Sequence, residues 1–96
     1  MAEYIVRPRA QIDLEDIWRY TLDNWGEAQA DRYLGELFAA FRELGRDPTS
    51  GQDASYLRPG YLKQPVNKHV VFYKHEQEVV DIIRVLHERM LPQLHL

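Results

Sequence analysis

Apolar residues recur along this chain first at helical and then at strand spacing, and the change of period outlines its plan. The opening stretch "EYIVR" (Glu3–Arg7) alternates and is rich in β-formers, which predicts a first strand. Pro8 ends it and is well placed to open a helix. From Arg9 to about Asn24, the residues Ala10, Leu14, Ile17, Trp18, Thr21 and Trp25 fall at three- and four-residue steps. Asp13, Asp16, Arg19 and Asp23 fall on the opposite side. Gly26 breaks the run. A second helix follows, with Ala30, Tyr33, Leu34, Leu37, Phe38, Phe41 and Leu44 on one face, and Pro48 in "DPTSG" cannot continue it. Helices joined by so short a break fold back as an antiparallel hairpin, and their stripes have one use, to cover a sheet.

The sheet lies in the second half. "GYLKQPV" (Gly60–Val66) reads as a short strand at or near an edge, because Pro65 cannot donate to a ladder. "NKH" is a turn. "VVFYK" (Val70–Lys74) is apolar on both faces and "EVVDIIRVLH" (Glu78–His87) nearly so, which predicts central strands joined by the polar hairpin "HEQ". The order is β-α-α-β-β-β: an α+β domain spanning 1–96, with a helical hairpin on a mostly antiparallel four-stranded sheet and a short tail at 91–96.

Composition narrows the function classes. The chain has 96 residues, 45% hydrophobic and 28% charged, as expected of one small globular domain. It has no cysteine, which removes disulfides and thiolate metal sites and fits a reducing cytoplasm. The start "MAEYIVRPRAQ" lacks an apolar targeting core, and no apolar run approaches the roughly 18 residues of a membrane span. Charge is uneven. Residues 1–48 hold six Lys/Arg against ten Asp/Glu, and residues 49–96 hold six against five together with all four histidines. A pI near 5.7 argues against nucleic-acid binding by the whole domain, since phosphate binders carry basic patches and high pI.

Four segments, "DLEDIWRYTLDNWG", "ADRYLGEL", "LRPGYLKQPVNKHVVFYK" and "RVLHERM", resemble in order the ParE toxins of bacterial toxin–antitoxin modules, over about Tyr4 to Met90. The resemblance implies the RelE/ParE fold, the order that the periodicity gives independently. It further implies a cytoplasmic toxin that poisons DNA gyrase instead of cutting mRNA. A ParD-like antitoxin, whose C-terminal segment wraps the toxin, would neutralise it in a hetero-oligomer. Leu91 departs from the acidic or small polar residue that follows "RM" in many relatives.

Two other functions remain to be weighed. A RelE-type, ribosome-dependent mRNA endonuclease needs a general base, a general acid and cations for the developing phosphate charge. His87 titrates in the right range, and Arg58, Arg84, Arg89, Lys63, Lys68 and Lys74 are the available cations. Arg84 and His87 are three positions apart, so on a regular strand they point to opposite faces. The structural alternative pairs Arg84 with Asp81 or a helix carboxylate and lets His87 cap the strand end. It is the better fit, so no catalytic residue is assigned. A third possibility is an inactive relative kept for antitoxin binding. The histidines show no metal-ligand spacing, "RPG" is only a turn, and no serine lies beside a histidine in a nucleophile arrangement, so no metal or cofactor is expected.

Under the binding reading, Arg58, Lys63, His87, Arg89, Leu91 and Leu94 are the candidates for contact with the target. The tail leucines are costly to expose unless they pack or meet a partner. For the antitoxin, the candidates are Ile12, off the apolar stripe on its acidic side, with Tyr20, Trp18 and Trp25, and the edge-strand residues Tyr61 and Val66. Trp18 and Trp25 fit a core and an interface hot spot equally well.

Overall fold

The computed structural model describes residues 3–96. Its elements are β1 (Tyr4–Val6), α1 (Pro8–Trp25), α2 (Glu27–Arg46), β2 (Gln52–Asp53), β3 (Tyr61–Val66), β4 (His69–Glu76) and β5 (Val79–His87). Single 3-10 turns cover Pro48–Ser50 and Pro92–Leu94. Pro8 occupies the first turn of α1, where its missing N–H costs nothing. Gly26, at φ 94°, serves two helices at once: its N–H donates to the Leu22 carbonyl, and its carbonyl accepts the Ala30 N–H. That left-handed backbone suits glycine and allows the immediate reversal.

The strands form one five-stranded sheet in the order β1-β5-β4-β3-β2, with β1 parallel to β5 and the other pairs antiparallel. The expected count of four strands is therefore one short. Gln52–Asp53 pairs with Lys63 and Leu62 on the outer side of β3, so β3 is second from the edge and only its Gln64–Val66 portion lacks an outer neighbour. Both hairpins are tighter than the sequence suggests. Their turns are Asn67–Lys68 and Gln77–Glu78, with Asn67 and Gln77 at positive φ, and His69, His75 and Glu76 belong to β4.

Both helices lie on one face of the sheet. Leu14 and Ile17 of α1 and Leu37, Phe41 and Leu44 of α2 pack with Val71, Tyr73, Val80, Ile82 and Val85. Alternation along β4 turns Phe72 the other way, and Val70 pairs with Leu86. On that far face, Val70, Phe72 and Leu86 border a cavity of about 190 Å³ with Pro65 and with Met90 and Pro92 of the tail. Burial on two faces is why β4 and β5 read as continuous apolar runs. Among the described residues, no helix is long and apolar enough to cross a membrane.

Candidate functional site

The end of β5 divides its polar residues between two places. β1 pairs only with Val80–Ile82, which leaves the outer edge of β5 open beyond that point. Asp13 of α1 fills the gap. Its carboxylate accepts the Val85 N–H at 2.9 Å and two guanidinium bonds from Arg84, Nε at 2.8 Å and Nη2 at 3.0 Å. Both side chains are more than nine-tenths buried. The bond to Asp13 holds the Arg84 pKa above its ordinary value despite burial, which acts to lower it. The remaining nitrogen, Nη1, donates to the His95 carbonyl at 2.6 Å.

Asp13, expected on the polar side of α1, is instead buried along its apolar stripe. It stands three residues after Ala10 and four before Ile17, both buried, so the stripe itself carried the signal. Of the two partners open to Arg84, the helix carboxylate is the one used. Asp81 instead accepts from Arg7 at 2.8 Å.

His87 faces the other place. The register is regular from Phe72↔Arg84 to His69↔His87, and the irregularity falls earlier, between Phe72 and Tyr73, so Arg84 and His87 do point apart. His87 Nδ1 accepts the Arg89 N–H at 3.1 Å and caps the strand end. Its ring packs edge-on against His69, with centroids 5.2 Å apart. His69 also meets Tyr33 of α2, Oη to Nδ1 at 2.6 Å. The Lys68 N–H donates into the same hydroxyl oxygen at 3.3 Å, so we assign the phenolic proton to His69 Nδ1 and the imidazole proton to Nε2. Burial pushes the Tyr33 hydroxyl pKa up, which keeps it a donor. Sequence reasoning missed His69 and Tyr33 as a unit, because only the strand register brings them to His87.

These groups floor a groove of about 900 Å³, walled by Asp16, Tyr20 and Trp25 of α1 and closed by Lys68, Glu88 and Arg89. Burial lowers the His69 pKa to about 4 from the usual 6.5, the His87 charge adds to this, and Glu88 and Asp13 oppose it. The folded value lies below the unfolded one, so the contribution to stability is present above about pH 6.5 and is lost as pH falls toward 4. Between pH 7.5 and 5 this loss is expected to be on the order of 1 kcal/mol, allowing for partial exposure. Thermal melts of wild type and His69→Gln at the two pH values check it: the variant is expected to lose less stability on acidification, and equal losses contradict the assignment.

The other expected site residues spread over the surface. Trp25, placed on the apolar stripe by spacing, is instead 73% exposed at the last residue of α1. Tyr20 and Ile12 are exposed as well, while Trp18 is half-buried and its indole N–H donates to Asp31 at 3.0 Å. Tyr61 and Val66 are half-buried on β3, so the strand face withdraws much of their surface. Lys63 donates to Tyr56 Oη at 3.0 Å on the β2–β3 side and borders the far-face cavity that His87 also lines. Arg58 reaches the tail, with Nη2 3.4 Å from the Leu96 carbonyl. Leu91 and Leu94 are exposed. The structure thus brings together His87 and Arg89 with Tyr20 and Trp25 in the groove, and Arg58 with the tail, but not all six target candidates in one patch. Among the described residues, no three His, Asp or Glu side chains gather as metal ligands do.

The family model for the ParE toxin of the type II toxin–antitoxin system, parDE, matches residues 4–92. Toxin ParE1 of Caulobacter vibrioides is 42% identical over 96 residues, covering 100% of this chain and 99% of its own. Toxin ParE1 of Mycobacterium tuberculosis is 41% identical over 90 residues, covering 93% of this chain and 92% of its own. Toxin ParE of Escherichia coli is 34% identical over 91 residues, 94% of this chain and 88% of that protein. A solved chain from a chromosomal ParDE toxin–antitoxin system of P. aeruginosa superposes with a TM-score of 0.78, covering 91% of this chain and 96% of that one. At 15% identity, that likeness speaks for the fold alone.

Proposed function

The chain belongs to the ParE family of toxins of type II toxin–antitoxin systems, and from that premise we propose that it inhibits DNA gyrase by binding alone and is held inactive by a ParD-like antitoxin in a cytoplasmic hetero-oligomer. Family membership supports the choice of target and antitoxin. What supports binding over chemistry is the state of Arg84: its guanidinium is buried against Asp13 at the open edge of β5 and is not free to hold a phosphate. A protein inhibitor needs only a surface that favours one state of its target.

The antitoxin reading draws on the groove beside the helical hairpin. Tyr20 and Trp25 are exposed aromatics, the type that dominates interface energies, and an amphipathic segment laid along a groove is an established recognition mode. The Gln64–Val66 side of β3, which lacks an outer strand, offers a second place for an extended segment.

Expression of the chain alone is expected to arrest growth, and co-expression of the protein encoded next to it to restore growth. Absence of both effects would refute the toxin–antitoxin reading for this chain. Growth arrest accompanied by ribosome-dependent mRNA cleavage, seen by primer extension, would replace gyrase binding with endonuclease activity. Tight antitoxin binding with no toxicity at any expression level would mark an inactive relative.

A further inference from the structure

Residues Leu91–Leu96 belong to neither the helical hairpin nor the sheet. They hold themselves locally: the Leu94 N–H donates to the Leu91 carbonyl, and the His95 and Leu96 N–H groups to that of Pro92. Among the described residues, two longer-range side-chain hydrogen bonds tie this tail to the domain. Arg58 donates to the Leu96 carbonyl at a long 3.4 Å from an exposed position, which makes it the weaker tie. Arg84 Nη1 donates to the His95 carbonyl at 2.6 Å, a charge-assisted bond from a buried guanidinium.

Arg84 has no freedom in making that bond. Its Nε and Nη2 are fixed on the two oxygens of Asp13, and a planar guanidinium so held aims its third nitrogen in one direction. Asp13 is fixed in turn by its helix and by the Val85 N–H. A carboxylate in the first half of α1 therefore fixes the His95 end of the tail, while Pro92 borders the far-face cavity. With His95 held, Leu94 stands 72% exposed, Leu91 54% and Met90 43%. Apolar side chains displayed on an ordered turn lose little further entropy when a partner covers them.

We propose that Asp13 and Arg84 are positioning residues for the toxin's protein target: by pinning the His95 carbonyl they present Leu91 and Leu94 as a preformed apolar anchor. The proposal rests on the protein-binding function proposed above and extends it to two buried residues that do not touch the target. Arg84→Lys separates this role from simple stabilisation. The lysine keeps a cation against Asp13, but one ammonium group does not span both the carboxylate and the His95 carbonyl.

The test compares Arg84→Lys, Leu91→Ser/Leu94→Ser and the three substitutions together, by amide exchange and by the induction level needed to arrest growth. In Arg84→Lys, the Leu94, His95 and Leu96 amides are expected to exchange about tenfold faster while the interior amides of β4 and β5 stay protected. Each variant is expected to need about tenfold more induction, and the combined variant no more than the leucine pair alone, because both act through one surface. Asp13→Asn, which keeps the side-chain volume, is read in the same way if Arg84→Lys does not fold. Unchanged tail exchange in a folded variant, or growth effects that multiply, would overturn the proposal. Growth arrest does not depend on which target is bound. A wild-type chain that arrests growth but leaves gyrase untouched thus refutes the gyrase reading alone, and tail exchange and non-additivity still decide this one.

Discussion

Arg84→Leu is expected to destabilise the domain by about 3–5 kcal/mol, because it leaves the Asp13 carboxylate buried without its cation. The size follows from the setting. The two side chains are 8% and 9% exposed, so water does not replace the lost bonds. The same carboxylate also accepts the Val85 N–H, so disturbing it reaches the backbone edge of β5. Against a typical stability of about 5–15 kcal/mol for a domain, such a loss leaves little margin. Urea denaturation of the purified variant measures it. Replacing both partners, Arg84→Leu with Asp13→Leu, is expected to recover much of the loss, since no charge is then left stranded. A single-variant loss below about 1 kcal/mol would mean that Asp13 reaches water and the pair is a surface feature.

Phe41→Ala is expected to cost about 3–5 kcal/mol as well, by the different route of an unfilled cavity. Phe41 is fully buried, and its ring lies 5.6 Å from that of Phe38 and 5.5 Å from that of Tyr4. Tyr4 belongs to β1, a three-residue edge strand held by one parallel neighbour. Loss of the Phe41 ring therefore removes the floor under this short edge strand. Alongside the denaturation midpoint, amide exchange of Val80, whose N–H donates to the Glu3 carbonyl, is expected to accelerate more than that of residues in the β4–β5 ladder. Uniform acceleration would show instead that β1 does not open separately. Phe38→Ala, at a half-buried position, is expected to cost less than half as much.

The parts of the fold that were legible in sequence are those fixed by periodicity and by backbone breakers. The stripes of α1 and α2, the reversal at Gly26 and the two-sided apolar runs of β4 and β5 all state local requirements in local residues. β2 was not legible, because Gln52 and Asp53 carry no strand preference and are extended only through pairing with Lys63 and Leu62. Trp25 shows the limit of a stripe: spacing places a residue on a face, while burial needs another element to cover it. Asp13 shows the opposite error. Its type suggested solvent although its position in the stripe pointed inward, and only its partner seventy-one residues away explains its burial.

The candidate site was read less fully for the same reason. Strand parity was enough to separate Arg84 from His87, and the structure keeps them apart. The contact of His87 with His69, and of His69 with Tyr33, depends on a register that joins three elements, which no single segment encodes. The tail leucines were recognisable as costly to expose. What holds them in place was not, because the tie is a backbone carbonyl at His95 reached by a buried side chain.

The proposed action of this ParE-family chain is to bind its target, without a reaction of its own. The most direct measurement adds the purified chain to DNA gyrase and relaxed plasmid, with and without the antitoxin. Loss of supercoiling with accumulation of gyrase-cleaved DNA, reversed by stoichiometric antitoxin, is the predicted result. Supercoiling that proceeds unchanged, with no cleaved DNA at any toxin concentration, would contradict the account.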